Sequence, residues 1–491
     1  MKIHSTATDT PNGHTESLWV YNGLDCMLTL EIFQAIEPQL DNTTRTTYEF
    51  RKDLQAPVLE MNMRGIRVDT ARRDAVIADY NARLARLSAQ LTRILAEGVG
   101  YPINWNSPAQ LSILLYDVMR LPPVKKRNAN GTYTPTVNRE ALEKLSAYFV
   151  AKPIITHILA IRDINKKLGV LRTEIDPDNR MRTSYNIAGT TTGRFSSSLS
   201  EFGTGTNLQN IEDRLRSVFV ADPGMKLAYI DLEQAESRAC GAIHWNLFND
   251  PTYLDACESG DLHTSVCKLA WPNLGWFGSL KADREVAEQP FYRQHSYRHM
   301  AKVLGHGSNY GGKPVTMASH TKIETSVVRA FQTEYFRAFP SFLKWHEWVA
   351  EEIRRTGRLT SLLGMRRDFH GRPDDASTVR EAIAFDPQST VGELLNRGLL
   401  ALWRLNICQI LLQIHDAVVI QFPEHRESTV VPAAVQALRV PIDLARGRVM
   451  VIPSEAKVGW NWGSASPTNP DGLTKWTGAD ARRRSETTRL D

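Results

Sequence analysis

The chain has 491 residues, enough for several subdomains with ample core, and its 42% apolar and 23% charged content is that of a soluble globular protein. Its five cysteines (26, 240, 257, 267 and 408) form no CxxC pair, and no apolar run approaches the ~18 residues of a membrane span, which argues against a zinc site, a disulfide framework or a membrane protein. The net charge of +5 fits a polyanion-binding protein with its positive charge gathered in a cleft, without requiring one. The N-terminal MKIHSTATDTPNGHTES lacks an apolar signal core, so a reducing, cytoplasmic setting is expected.

In chain order, the first eighteen residues are polar and expected to be mobile, and LWVYNGLDCMLTLEIFQAI then reads as a helix. Pro57 and Gly65 should break a second helix before a short extended piece at Ile66 to Val68. Ala/Arg/Leu-rich sequence from Thr70 to about Ala96 predicts a long amphipathic helix. In NWNSPAQLSILLYDVM, Asn106 or Ser107 is an N-cap before the first-turn Pro108. PPVKKRNANGTYTP reads as a basic loop, and helix resumes from about Asn138 through Lys167. From Arg180 to Phe219 the chain is polar and small; KLAYIDLE is then an alternating strand ending in Asp231, with a helix beginning near Gln234. Residues 251–350 read as mainly helical, LTSLLGMRRDF as a hairpin, and Val379 to Trp403 as a helix. ICQILLQIHDAVVIQF reads as two strands joined near His415 and Asp416, and VMVIPSEAKVGWNW as a closing strand before a polar tail from about Gly463 containing ARRRS. The class is α+β, a small antiparallel sheet carrying acidic residues with helical excursions on either side.

The chemistry concentrates in RHMAKVLGHGSNYG. On one helix, Arg298, Lys302, His306 and Tyr310 recur every four residues, and each step overshoots a full turn by about 40°, so the four span roughly 120° of one face. Two cations, an imidazole and a phenol in that order suit the phosphates of a nucleotide at one end and its sugar and base at the other. Asp231 and Asp416, each on a strand-like segment, are what a pair of magnesium ions needs to align a phosphoryl transfer. A lone strand-end aspartate more often caps a turn. The combination suggests a nucleotidyl transferase.

Several segments, in order from about residue 50 to 462, resemble the motifs of family A DNA polymerases. AGTTTGRFSSS with NLQNI is similar to the TGR…SS and NLQNIP block, and YIDLEQAESR to the DYSQIELR motif. RHMAKVLGHGSNYG resembles the R-x3-K-x3-F/Y-G-x2-YG helix, DPQSTVGELLNRG the QGTAAD helix, and QIHDA the VHDE motif; NWNSPAQL and VGWNW match flanking features. The resemblance implies a right-hand fold of palm sheet with helical thumb and fingers. It divides the chain into an N-terminal segment (1–45), palm entry (46–70), thumb (71–180), palm (181–250), fingers (251–350), palm (351–462) and a polar tail (463–491).

It also implies roles. Asp231 and Asp416 would bind two Mg²⁺ ions; Arg298, Lys302 and His263 would hold the triphosphate, with Lys302 catalytic; Gln234, His306 and Tyr310 would complete the nucleotide site. Glu236 would crowd the ribose 2′ position and favour dNTPs. Arg194, Gln209, Asn210, Arg380, Gln388 and His415 would contact primer–template DNA, with Arg194, Gln209 and Gln388 suited to minor-groove acceptors. Lys125, Lys126, Arg127, Lys166 and Lys167 would track duplex phosphates. Each of these has an ordinary reading as a cap, core or solvated side chain.

His306 stands where the family has Phe or Tyr, Ala417 where a glutamate usually follows the aspartate, and Ala384 where a template-side Asn is common. At the front, only Tyr21 to Asp25 resembles the last motif, Tyr-x3-Asp, of the family's 3′–5′ exonuclease. A bacteriophage-type enzyme that does not proofread is the expectation, with a separate exonuclease polypeptide or a processivity factor as further partners. The alternatives are a single-subunit RNA polymerase-like enzyme and a catalytically silent DNA-binding subunit.

Overall fold

In a computed structural model, which describes residues 13–100, 103–128, 130–292 and 295–478 (13–16 as backbone only), five antiparallel strands form the centre. They are β1 (Met225–Leu232), β2 (Gln409–Ile414), β3 (Ala417–Pro423), β4 (Ser454–Gly459) and β5 (Thr474–Lys475), in the spatial order β2-β3-β1-β4-β5. Period-two alternation sends Ala228, Ile230 and Leu232 to one face and Leu227, Tyr229 and Asp231 to the other. Both faces are covered, which is why β3 reads as a continuous apolar run.

The helices that matter for the site are α1 (Gly13–Ile36), α2 (Asn42–Asp53), α3 (Gln55–Arg64), α4 (Thr70–Val99), α5 (Lys152–Leu171), α6 (Ala235–Phe248), α7 (Leu262–Ala270), α8 (Tyr297–Asn309), α9 (Ser341–Thr356), α10 (Ala376–Leu405) and α11 (Glu427–Leu438). On one face of the sheet, Ile230, Val418 and Ile420 pack on Leu395 and Leu399 of α10, Val431 of α11 and Ala239 of α6. On the other, Leu227, Leu412 and Val419 meet Ile66, Val68, Leu168, Phe219 and Trp462. Burying one such side chain contributes about 1.5–3 kcal/mol, so both layers hold the sheet rigid. A separate helical core gathers Leu91, Leu95, Leu142, Ile155 and Ile158, and another Ile243, Leu304, Phe331, Phe342 and Trp345.

Local signals account for many boundaries. The Asp69 carboxylate accepts the Arg72 backbone N–H at 2.9 Å and starts α4 where Thr70 was expected to begin it; Ser107 likewise accepts from the Gln110 N–H before Pro108. Gly65 ends α3 at φ +60°, and a Cβ there would lie 2.7 Å from the Met181 carbonyl oxygen. The 358–360 and 366–368 segments form the expected hairpin, and α10 runs through Pro387.

Other expectations need correction. The helix break falls at Leu54, between α2 and α3, and Pro57 sits in the first turns of α3, where its missing N–H costs nothing. The basic loop is a hairpin, Lys125–Arg127 against Tyr133–Pro135, extended by the Asn128 N–H donating to the Thr132 carbonyl oxygen at 2.8 Å. The closing strand is two strands divided near Pro453: Val449–Val451 pairs with Pro441–Asp443, and β4 pairs with β1. The polar tail folds back and adds β5 beside β4. α1 begins at Gly13, inside the stretch expected to be mobile, while residues 1–12 and the ARRRS segment lie outside the described residues. No helix among the described residues is long and apolar enough to cross a membrane.

Candidate active site

Asp231 is the seventh residue of β1, and in the sheet register it lies opposite Ala417 on β3 and Glu455 on β4. Asp416 immediately precedes Ala417 in the two-residue turn between β2 and β3, so the two carboxylates are neighbours. The Leu232 N–H donates to the Asp416 carbonyl oxygen at 3.1 Å and clamps the turn against β1. His415, the other turn residue, is held at φ +52°, a left-handed conformation that suits Gly or Asn better. Burial pushes the Asp231 carboxyl up to about 7, with the Asp416 charge adding to it, and burial also raises Asp416. Two crowded carboxylates that resist sharing negative charge are a fitting donor pair for a hard divalent cation that completes its shell with water and substrate oxygens. Among the described residues no group of three or more His, Cys, Asp or Glu side chains is arranged to hold an ion by itself.

A cleft of about 550 Å³ opens over this pair, between the sheet end, α6, α7 and α8. Of the residues expected at the site, Asp231, Gln234, Glu236, His263, Lys302, His306 and Asp416 line it. Arg298, Lys302 and His306 lie on α8 as the four-residue spacing predicts, and Tyr310 is its C-cap. α8 runs unbroken through Gly305 and Gly307, and Gly307 lets Met317 approach, since a Cβ there would lie 2.8 Å from its Cε.

Glu236 is the most heavily held group in the cleft. Its Oε1 accepts from Arg194 Nη2 at 2.5 Å and its Oε2 from the Tyr310 hydroxyl at 2.6 Å. Although burial opposes its charge, Tyr310 and Arg194 together hold the carboxyl below its usual range. Burial raises the Tyr310 phenol, aided by Cys240 and Glu236, so it remains a donor. His306 stands edge-on to Tyr310, ring centroids 5.1 Å apart, with Nε2 3.9 Å from Glu236 Oε2. Burial, with the charges of Arg298 and Lys302, lowers His263 to about 4, so near neutral pH it is a neutral imidazole. The buried Gln234 Oε1 has no hydrogen-bond partner among the described residues, and Gln234 itself is left-handed at φ +53°.

Arg298 departs from its expected freedom. Its Nε and Nη2 donate to Asp261 at 2.9 and 3.1 Å, so the guanidinium is already satisfied by a carboxylate. Asp261 also caps α7, accepting from Thr264 Oγ1 at 2.8 Å. Neither Asp261 nor Glu455 was singled out in the sequence; the D-x-x-T spacing before α7 was the available signal for Asp261, whereas only strand register reveals Glu455.

The expected DNA contacts scatter more widely. Arg194 packs on α10 at Gly392, one turn beyond the half-buried Gln388. Buried Gln209 donates through Nε2 to Gln413 Oε1 at 3.0 Å, behind the acidic turn. Asn210, Arg380 and His415 are exposed, as are Lys125 and Lys126 on their hairpin. Lys166 and Lys167 are less free than a phosphate-tracking pair, because Glu212 lies 3.6 and 3.4 Å from them. The packing of α5 on α4 also sets Lys167 over the Tyr80 ring.

Residues 74–464 match the model of DNA polymerase family A. The chain is 29% identical to the thermostable DNA polymerase I of Thermus aquaticus over 459 residues, covering 88% of this chain and 50% of that protein. It is 27% identical to DNA polymerase I of Chloroflexus aurantiacus, covering 91% of this chain and 46% of that one. The chain thus spans about half the length of these relatives. Its fold is similar to the POL domain of Pol1 from M. smegmatis, solved in complex with DNA primer-template and dNTP, with a TM-score of 0.66 at 22% identity, covering 84% of this chain and 69% of that one. With four-fifths of its length matched, from within the long α4 to just past β4, and with an α+β fold like that POL domain, this chain belongs to DNA polymerase family A.

Proposed function

We propose that the chain is a DNA-templated DNA polymerase that adds dNTPs to a primer 3′-hydroxyl. The observation that supports the reading is the cleft itself, whose lining brings Asp231, Asp416 and Lys302 together with a Glu236 held by Arg194 and Tyr310. Members of the family use divalent metal ions. Here Asp231 and Asp416 would hold two Mg²⁺ ions, which when bound lower the pKa of the primer hydroxyl and offset the charge of the triphosphate and leaving pyrophosphate.

The chain's own groups supply the rest. Lys302, which has no ion-pair partner among the described residues, is placed to meet a phosphate oxygen, and neutral His263 to share a hydrogen bond with another. Arg298, satisfied by Asp261, either exchanges that partner for phosphate or braces α8 from behind. Glu236, fixed from both sides, occupies the space a ribose 2′-hydroxyl would need, so a ribonucleotide meets a carboxylate that cannot step aside. Arg194, beside α10, would meet the minor-groove acceptors that all base pairs share. Tyr21 to Asp25, the stretch that resembles the exonuclease's Tyr-x3-Asp motif, lie on α1 with Tyr21 exposed.

Primer extension by the purified chain, with and without magnesium, on matched and mismatched primers tests this. Magnesium-dependent dNTP addition supports the reading. Preferential NTP addition would favour an RNA polymerase-like enzyme, and DNA binding without extension a silent subunit.

A further inference from the structure

The last turn of α8 is held by buried polar groups that the chemistry of the cleft does not use. Asn309, its final residue, is 2% exposed, and both ends of its side-chain amide are engaged. Oδ1 accepts from the Tyr335 hydroxyl at 2.6 Å, and Nδ2 donates to the Tyr253 hydroxyl at 3.0 Å. The Asn309 main-chain carbonyl, one of those a helix end leaves without an internal partner, accepts from His346 Nε2 at 2.8 Å. Tyr253 lies on the helix Thr252–Glu258, Tyr335 on the helix Thr325–Ala338 and His346 on α9, so three further helices converge on this residue. One residue back, the buried Ser308 Oγ accepts from Gln332 Nε2 at 3.1 Å, and the same nitrogen donates to the Gly312 carbonyl at 2.8 Å.

Burial raises both phenols and lowers the His346 imidazole, so all three hydrogen-bond as neutral groups. Burying polar groups costs stability unless they are paired, and a satisfied network fixes one geometry where apolar packing tolerates several. What this network fixes is the start of Tyr310. At φ −98° and ψ 21° Tyr310 has already left the helical conformation, so the ladder of α8 does not orient it. Its hydroxyl nevertheless reaches Glu236 Oε2 at 2.6 Å.

We infer that Asn309 is a positioning residue for sugar selection: anchored by Tyr253, Tyr335 and His346, it sets the Tyr310 hydroxyl on Glu236 and so keeps that carboxylate where a ribose 2′-hydroxyl would have to sit. The inference rests on the polymerase reading and on Glu236 meeting the sugar. A leucine at 309 would fill the space but could take neither phenol as a partner.

The test is the ratio of kcat/KM for a dNTP over its NTP in primer extension by the wild type, Asn309→Leu, Tyr335→Phe, Tyr310→Phe and the double variant Asn309→Leu/Tyr310→Phe. Val349→Ala, which trims the same helical core and offers no hydrogen bond, is the control. The ratio should fall about two- to tenfold in each of the three single variants, the worth of one hydrogen bond. Asn309→Leu should add nothing once Tyr310 has lost its hydroxyl, because both changes then act on one contact. Val349→Ala should keep the wild-type ratio whatever its stability. Tyr335→Phe removes a single oxygen, so the test stands even where Asn309→Leu fails to fold. A wild-type ratio in Tyr335→Phe or Tyr310→Phe, a full effect of Asn309→Leu in the Tyr310→Phe background, or a lowered ratio in Val349→Ala overturns the proposal. Absence of any dNTP extension by the wild type would instead overturn the polymerase reading, so the two failures are distinguishable.

Discussion

Asp261 and Arg298 face each other through two hydrogen bonds, 2.9 and 3.1 Å, that tie the start of α7 to the first turns of α8. The same carboxylate caps α7, so it serves two masters that substitution can separate. Asp261→Asn keeps a good N-cap but loses the charge; Asp261→Ala loses both. Both variants should raise KM for dNTPs by disorienting Arg298, while Asp261→Ala should be less stable than Asp261→Asn by about 1 kcal/mol. Urea denaturation and steady-state kinetics read the two effects. Equal stability of the variants would show that the cap is idle.

The two aspartates proposed to bind metal should show opposite effects on activity and stability. Asp231, ordinarily near 3.8, titrates near 7 when folded because it is buried and lies beside Asp416. Between those values the folded chain holds more protons than the unfolded one, so stability falls as pH rises through the window and the loss is complete above about 7. Metal-free protein should therefore lose Tm between about pH 4 and 7, and Asp231→Asn should lose less, by on the order of 1–3 °C. Magnesium at the higher pH should restore Tm in the wild type and less in the variant. Asp231→Asn and Asp416→Asn should both abolish primer extension; near-normal turnover in either would sink the metal assignment.

Arg51 and Glu393 form a buried pair at 2.8 Å that joins α2 to α10. Arg51 Nη1 also donates to the Gly193 carbonyl at 2.9 Å, steadying the residue before Arg194. Arg51→Ala should cost about 3 kcal/mol, because it leaves the buried Glu393 carboxylate with only Arg397, 3.9 Å away, as a cation, whereas Arg51→Met with Glu393→Leu should cost less. Chemical denaturation of the single and double variants decides between these outcomes.

His415 occupies a left-handed conformation at the acidic turn. Removing a side chain that strains such a position offsets the flexibility glycine adds, so His415→Gly should stay within about 1 kcal/mol of the wild type. Because the imidazole is exposed beside Asp416, the same change should still lower primer extension if His415 meets the primer terminus. Unchanged extension kinetics would make the histidine incidental.

Much of the site was legible from residues alone, for reasons that are local. The alternation of KLAYIDLE marked β1 and put Asp231 near its end, and the apolar runs on either side of His415 and Asp416 marked a tight hairpin. The four-residue spacing of Arg298, Lys302, His306 and Tyr310 described α8 and its C-cap because helical periodicity needs no distant partner. The cap at Ser107 was equally local.

What only the tertiary structure decided are relations between residues far apart in the chain, which no periodicity encodes. The apolar pattern of 449–459 could not reveal that its two halves pair with different strands, nor that a polar tail would add β5 to the sheet. Charge patterns marked Arg298, Lys166 and Lys167 as cations, but packing chose Asp261 and Glu212 as their partners. Sequence thus determined which chemical groups this protein brings to its cleft. Folding determined which of them are already satisfied, and that Glu236, gripped by Arg194 and Tyr310 with His306 3.9 Å away, is the most heavily held carboxylate of the cleft.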